Sequence, residues 1–80
     1  MEKIKRIFIE LHTYDTNRNK EVRALLNIDE ISGILEYSSI IRFCNASIVL
    51  NGTNTIEVIE DYDTIVSKIN QLKQINGYID

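Results

Sequence analysis

The stretch from Ser47 to Lys73 constrains the fold of this 80-residue chain more than any other part of it. Two short apolar runs flank Asn51-Gly52, a dipeptide typical of a β-hairpin because both residues tolerate positive φ. After the second run, apolar residues recur at the i, i+4, i+7 spacing of one helix face. The stretch therefore predicts a strand, a tight turn, a second strand and an amphipathic helix. The apolar stripe of that helix is Ile65, Ile69 and Leu72, with Val66 and Ile75 at its flanks.

The helix itself is predicted over residues 62–75. Asp61 is the expected N-cap, since its carboxylate can accept hydrogen bonds from the free amides of the first turn. Lys73 lies near the other end, where a positive charge is favourable beside the helix dipole. Asn76-Gly77 predicts the stop of the helix, which leaves residues 76–80 as a short C-terminal tail.

Upstream of this stretch, the chain predicts further strands. Apolar and polar residues alternate from Ile4 to Tyr14 with the period of a strand. The polar run from Asp15 to Lys20 then predicts the loop of a hairpin. The first strand places Ile7, Ile9 and Leu11 on one face and Phe8, Glu10 and His12 on the other. The later strands are predicted at 21–28, 31–37, 40–50 and 55–60.

Three places in these strands leave the local structure open. The apolar run Ala24-Leu25-Leu26 indicates a strand covered on both sides or a bulge, with a short helix as the competing interpretation. Segment 40–50 is either one long strand with an irregularity at Asn45-Ala46 or two shorter pieces. Gly33 marks a bulge or a close approach of backbone. The connection 27–30 predicts a tight turn, because Asn and Asp side chains bond nearby amides.

Together these elements predict an α+β fold. We expect a small antiparallel sheet of four to five strands with the C-terminal helix packed across one face. A single domain over residues 1–80 is expected, because no Pro-, Gly- or Ser-rich linker interrupts the chain. The sheet would occupy residues 4–60, the helix 62–75 and the tail 76–80.

Composition narrows the classes of function. A chain this short buries a modest core, and with one cysteine it has no disulfide to supplement it, which favours oligomerisation or a partner. The net charge of −3 argues against direct nucleic-acid binding. No apolar run approaches the roughly 20 residues of a membrane span, and the start of the chain has no signal-like apolar run. The sequence therefore predicts a cytoplasmic protein without membrane association, in which Cys44 is reduced.

No pattern in the chain predicts catalysis, a metal site or a cofactor. His12 is the only histidine, and nothing in the spacing places it beside Cys44, so a histidine on a polar face and a cysteine in the core are expected. The three glycines lie far apart and form no phosphate-binding loop. An acidic cluster at the junction of strand and helix lacks the spacing of an EF-hand, and helix capping accounts for part of it. The cluster consists of Glu57, Glu60, Asp61 and Asp63.

A series of short motifs resembles the FlbD-like small proteins of bacterial flagellar gene clusters, phages and mobile elements. The motifs span roughly residues 21–72, although Asp61-Tyr62 stands where that family often has a serine, and the first hairpin loop is longer. The resemblance implies a small α+β fold and no catalytic residues. The departures from the family pattern favour its phage or mobile-element relatives, while an Asn- and Ile-rich composition leaves both origins open. Its motifs are Leu26-Asn27, Asp29 with Ile31, Ile48-x-Leu50-Asn51-Gly52, Val58-x-Glu60 and the Ile-rich helix.

A second resemblance, to the end of LytTR-type DNA-binding domains, is set aside. Those domains are basic where they meet DNA, whereas residues 47–65 of this chain carry four acidic residues and no Lys or Arg.

The sequence as a whole predicts a non-enzymatic interaction or oligomerisation module, whose partner is a second copy or a host protein. The alternatives are an inhibitor of a host defence nuclease acting through its acidic surface, a homo-oligomer that sequesters a small-molecule ligand, and a flagellar or motility regulator. The expected interaction surface consists of Phe8, Glu10, His12, Tyr14, Tyr37, Glu57, Glu60 and Asp63.

Overall fold

The computed structural model describes residues 6–36 and 43–75, and it confirms an α+β fold with a C-terminal helix. Five strands and one α-helix are present in the described residues, with a short 3₁₀ turn at Ile28–Glu30 between the second and third strands. The elements are β1 (Phe8–Asp15), β2 (Lys20–Asn27), β3 (Ile31–Leu35), β4 (Ala46–Leu50), β5 (Asn54–Val58) and α1 (Tyr62–Ile75).

The strands form two sheets, whereas the sequence predicted one. β1 and β2 form an antiparallel hairpin, and β3, β4 and β5 form an antiparallel sheet in that order. The 3₁₀ turn redirects the chain after β2, so that β3 pairs with β4 instead of continuing the first hairpin. The sheets meet where β1 passes the end of β5, and there the Ile59 amide donates to the His12 carbonyl at 2.7 Å. One backbone hydrogen bond does not make a ladder, and the predicted single sheet is therefore divided.

The first hairpin is regular along its whole length. Each residue of β1 has a partner in β2, from Phe8 opposite Asn27 to Asp15 opposite Lys20, without a bulge. At the loop, the Asp15 carboxylate accepts hydrogen bonds from the amides of Asn17 and Arg18, at 3.0 and 3.2 Å. Segment 24–26 is therefore part of a continuous strand, and both the bulge and the short helix are wrong.

The second sheet contains the predicted irregularity at Gly33. The register of β3 against β4 shifts between Ile31 and Gly33, so Ser32 is the extra residue of a bulge. The Asn51-Gly52 turn is also confirmed, with φ of 51° and 77°.

Two strands of this sheet are shorter than predicted. β4 is shorter because residues 43–45 lie outside the strand, and the part of that prediction at 40–42 falls outside the described residues. β3 ends at Leu35, two residues before its predicted end, and Tyr37 is outside the described residues.

A single apolar core joins both sheets and the helix. The alternation predicted for the first strand is confirmed, because Ile7, just before β1, and Ile9 and Leu11 within β1 are buried. From α1 only Ile65 is fully buried, while Ile69 and Leu72 pack partly against the core. Ile75 does not belong to the buried stripe, since it is 80% exposed at the last turn. The buried cluster is Ile7, Ile9, Leu11, Ile28, Ala46, Ile48, Val58 and Ile65.

The helix begins at Tyr62, where the sequence predicted, and it continues to Ile75, the last described residue. The Asp61 carboxylate accepts a hydrogen bond from the Thr64 amide at 2.9 Å, the geometry of an N-cap. Hydrogen bonds from Thr64 hold the pKa of Asp61 below its usual value. The predicted stop at Asn76-Gly77 and the tail lie outside the described residues.

Removing the Asp61 cap is expected to lower the midpoint of thermal unfolding. Asp61→Ala leaves the Thr64 amide without its acceptor, whereas Asp61→Asn keeps an oxygen in place and should retain most of the stability. Asp63→Ala, in the same first turn, is the matched control for loss of negative charge alone. Circular dichroism melts of the three variants measure the effect. Equal midpoints for Asp61→Ala and Asp63→Ala would contradict the capping role.

Candidate functional site

The outward side of the first hairpin gathers half of the predicted interaction residues. Because side chains alternate along a strand, Phe8, Glu10, His12 and Tyr14 all point away from the core. Their partners across the hairpin lie on the same side. We call this surface the hairpin face, and it consists of Phe8, Glu10, His12, Tyr14, Glu21, Arg23 and Leu25.

One end of the hairpin face is apolar. Phe8 is 46% exposed and Leu25 is 65% exposed, and Leu25 stands opposite Glu10 and therefore diagonal to Phe8. Beside Phe8, the last turns of α1 complete a groove of ≈ 250 Å³ that Leu72 and Ile75 line with their apolar side chains. Three exposed large apolar residues, Phe8, Leu25 and Ile75, therefore lie where the hairpin meets the end of the helix. Leu35, Phe43 and Tyr62 are exposed elsewhere.

The other end of the face is polar and centres on His12. Its Nδ1 lies 2.7 Å from Oε2 of Glu60, and its backbone amide donates to Oε1 of the same carboxylate at 2.9 Å. On the other side of the ring, Nε2 is 3.9 Å from a carboxylate oxygen of Glu21. Glu60 lies between β5 and α1, so this pair connects the first hairpin to the junction of the second sheet with the helix.

The His12–Glu60 contact shifts the ionisation of both groups. The hydrogen bond to Glu60 raises the pKa of His12 against the opposing effect of burial, and the charges of Glu60, Glu21 and Glu10 add to the rise. Burial alone would raise the pKa of Glu60, but the hydrogen bonds from the His12 ring and amide outweigh it and hold that pKa below its usual value. The pair is therefore favoured in its charged form.

The remaining predicted residues do not extend the hairpin face. Glu57 lies on β5, where its Oε2 accepts a hydrogen bond from the Ser47 hydroxyl of β4 at 2.6 Å. Asp63 is exposed in the first turn of α1. Tyr37 falls outside the described residues. Of the predicted acidic residues, Glu60 is the one that the fold places against His12.

Cys44 is buried near the polar end of this face, as predicted for a core cysteine. Burial raises the pKa of its thiol, although a hydrogen bond with the backbone of Tyr14 opposes the rise. A thiol in this state is a poor nucleophile at neutral pH. The aromatic rings of Tyr14 and Phe43 cover the same region, with centroids 4.9 Å apart.

The sequence did not identify Leu25, Arg23 or the end of α1 as parts of this surface. Leu25 had a signal, because an apolar residue on each side of segment 24–26 indicates a strand covered on both faces. Within the described residues the chain covers only one face of this strand, since Leu25 on the other face is exposed. The groove had no such signal, because it depends on where α1 crosses β1.

Comparison of the chain with protein-family models, with curated proteins and with solved structures gives no match in any of the three. Among the residues that the structure describes, no group of three or more His, Cys, Asp or Glu side chains is placed to hold a metal ion. In the same residues, α1 falls short of the length and apolarity that a membrane span requires. The family relationship of this chain therefore stays the prediction made from its FlbD-like motifs.

Proposed function

We propose that this protein is a self-association module that forms a homodimer through the hairpin face. The observation that carries the proposal is the 65% exposure of Leu25 in the middle of a regular eight-residue strand. Phe8 and Ile75 extend the same exposed apolar region. Apolar residues that are clustered on one surface indicate an interaction site, in contrast to apolar residues scattered singly.

The charges on the hairpin face favour a second copy as the partner. Glu10 lies directly opposite Leu25 across the hairpin, Arg23 lies two residues before Leu25 on β2, and neither forms a salt bridge within residues 6–36 and 43–75. A two-fold axis through Leu25 would place Leu25 against its own copy. If that axis also bisects the angle between the directions from Leu25 to Glu10 and from Leu25 to Arg23, it places Glu10 of each molecule opposite Arg23 of the other. A surface with this arrangement is complementary to itself, as a two-fold interface requires.

The apolar contacts provide the energy of this association. Complete burial of a Leu or Phe side chain contributes about 1.5–3 kcal/mol. Phe8 gains part of this free energy already in the monomer, where it lines the groove beside α1. The charged pairs at the edge contribute little affinity and mainly fix the orientation. We therefore expect a modest affinity that depends strongly on Leu25.

The proposed inhibitor of a host nuclease has less support from the structure. An acidic mimic of nucleic acid needs carboxylates that face solvent together. Here Glu57 bonds to Ser47, Glu60 bonds to His12, and Asp61 caps the helix. Most of the acidic cluster is therefore engaged in contacts within the chain.

Replacing Leu25 with serine is expected to weaken self-association by about tenfold or more, which corresponds to about 1.4 kcal/mol of lost apolar contact. Leu35→Ser is the matched control, because Leu35 is 54% exposed on β3 in the other sheet. Sedimentation velocity over a series of protein concentrations measures both dissociation constants. A parent protein that stays monomeric throughout the series, or equal losses in the two variants, would overturn the proposal.

A charge exchange separates a second copy from any other partner. Glu10→Arg and Arg23→Glu should each weaken the dimer, because each places like charges opposite one another across the two-fold axis. The double variant restores opposite charges and should recover much of the affinity. Recovery is expected only if the partner carries the same two substitutions, so a double variant as weak as the single ones contradicts this geometry.

A further inference from the structure

A second groove lies on a different part of the molecule, between β3 and α1. It has a volume of ≈ 270 Å³ and is open to solvent at the surface. None of its residues belongs to the hairpin face. Its lining combines an apolar floor of isoleucines with three polar side chains, those of Ser32, Tyr62 and Lys73.

The bulge in β3 shapes this groove. Ser32 is the extra residue, and its Oγ accepts a hydrogen bond from the Gly52 amide at 2.6 Å. That contact fixes the hydroxyl oxygen and leaves its hydrogen to donate to a ligand. Gly33 follows, and a Cβ at this position would have no atom within 4 Å. Gly33 lines the groove and has free space where a side chain would begin. Bulges occur frequently beside binding sites.

The two polar residues that α1 contributes to the groove lie on one face of the helix. Tyr62 and Lys73 are about three turns apart, and Ile69 lies between them. Lys73 is partly buried, yet it forms no salt bridge within the described parts of the chain. An ammonium group that lines a groove without a carboxylate partner can pair with the carboxylate of a ligand.

We propose that the groove between β3 and α1 binds a small organic acid that has one carboxylate and an apolar body. The carboxylate pairs with Lys73, and the apolar body lies on the isoleucines of the floor. Ser32 and Tyr62 provide hydrogen bonds for a further polar group. This is the usual composition of a ligand site, in which a few polar groups orient a molecule on an apolar lining.

The charge of the site favours a carboxylate over a phosphate. A phosphate monoester carries about −1.5 to −2 at neutral pH, whereas a carboxylate carries a single charge. Among the residues that the structure describes, Lys73 is the only Lys or Arg that lines the groove, and the chain has a net charge of −3. One cation compensates one negative charge. A ligand with more negative charge would therefore leave uncompensated negative charge in a protein that is already negative.

Titration with 3-phenylpropionate, followed by amide chemical shifts in two-dimensional NMR, tests this site. The neutral 3-phenylpropanamide tests the need for the charge, and phenyl phosphate tests the choice of anion. We expect shifts around Gly33 and Ile69, millimolar or tighter affinity for the acid, and binding that is about tenfold weaker for the amide and for the phosphate.

Two variants act on the site in independent ways. Gly33→Leu fills the open space and should abolish binding, and Lys73→Met removes the charge and should weaken binding about tenfold. Lys68→Met is the matched control, because Lys68 lies on the same helix but contacts the Glu10 carbonyl at 3.3 Å. Unchanged spectra with all three probes, equal affinity for acid and amide, or unchanged binding in both site variants would each overturn the proposal. Since the dimer uses other residues, the result does not depend on self-association.

Discussion

Replacing Ile65 with alanine is expected to destabilise the protein by about 2–5 kcal/mol. Ile65 is the one residue of α1 that is completely buried, and it packs into the cluster that both sheets share. The substitution removes apolar contacts and leaves a cavity at the point where the helix meets the strands. A domain of this length has a total stability of about 4–12 kcal/mol, so this variant should lose a large fraction of its stability.

Ile75→Ala is the control that separates burial from residue type. Ile75 is also an isoleucine of α1 but is 80% exposed, and its replacement should change the free energy of unfolding by no more than about 0.5 kcal/mol. Urea unfolding measures both variants, at protein concentrations low enough to keep them monomeric. A loss at Ile65 as small as the loss at Ile75 would show that the helix is not anchored as the structure indicates.

The second large effect is the pH dependence of the free energy of unfolding that the His12–Glu60 pair causes. Glu60→Gln is expected to remove most of this dependence. Folding raises the pKa of His12, so its pairing stabilises the folded state fully below the unfolded pKa of about 6.5. This contribution is lost as the pH rises through the folded pKa. Folding lowers the pKa of Glu60, so its contribution is present above the unfolded pKa of about 4.3 and is lost as the pH falls through the folded value.

The pair therefore stabilises the protein most between about pH 4.5 and pH 6.5. Because His12 is the only histidine, its ring signals give the pKa directly by NMR. In Glu60→Gln the pKa of His12 should fall markedly, and the decrease in stability from about pH 6 to pH 8 should become smaller. Glu21→Gln should have a smaller effect, because that carboxylate is 3.9 Å from the ring and largely exposed. An unchanged pKa in Glu60→Gln would contradict the assigned contact.

Local patterns predicted most of the elements of this fold. Alternation identified the buried side of β1, Asn51-Gly52 identified the turn between β4 and β5, and Asp61 identified the start of the helix. Each of these features depends on residues that are close in sequence, where backbone preferences and capping have a direct physical basis. Gly33 belongs to the same group, since the lack of a side chain indicated the bulge that the structure contains.

Contacts between distant segments could not be predicted in this way. His12 and Glu60 are 48 residues apart, and their pairing depends on how β1 passes the end of β5. The division into two sheets depends on the direction that the chain takes after Ile28–Glu30, which no periodicity encodes. For the candidate site, the four residues from β1 were predicted together because they share one strand. Leu25 was missed because its exposure becomes visible only when the packing of β2 is known.

The seam between the two sheets has a consequence for the order of folding. Each sheet is built from strands that are adjacent in sequence, and such hairpins form within microseconds without help from distant segments. The bond between Ile59 and His12, by contrast, closes a loop that includes most of the chain. Closing that loop requires both units to be nearly complete, and we expect it to limit the rate of folding. The same seam would be the place where the hairpin first separates when the native protein opens.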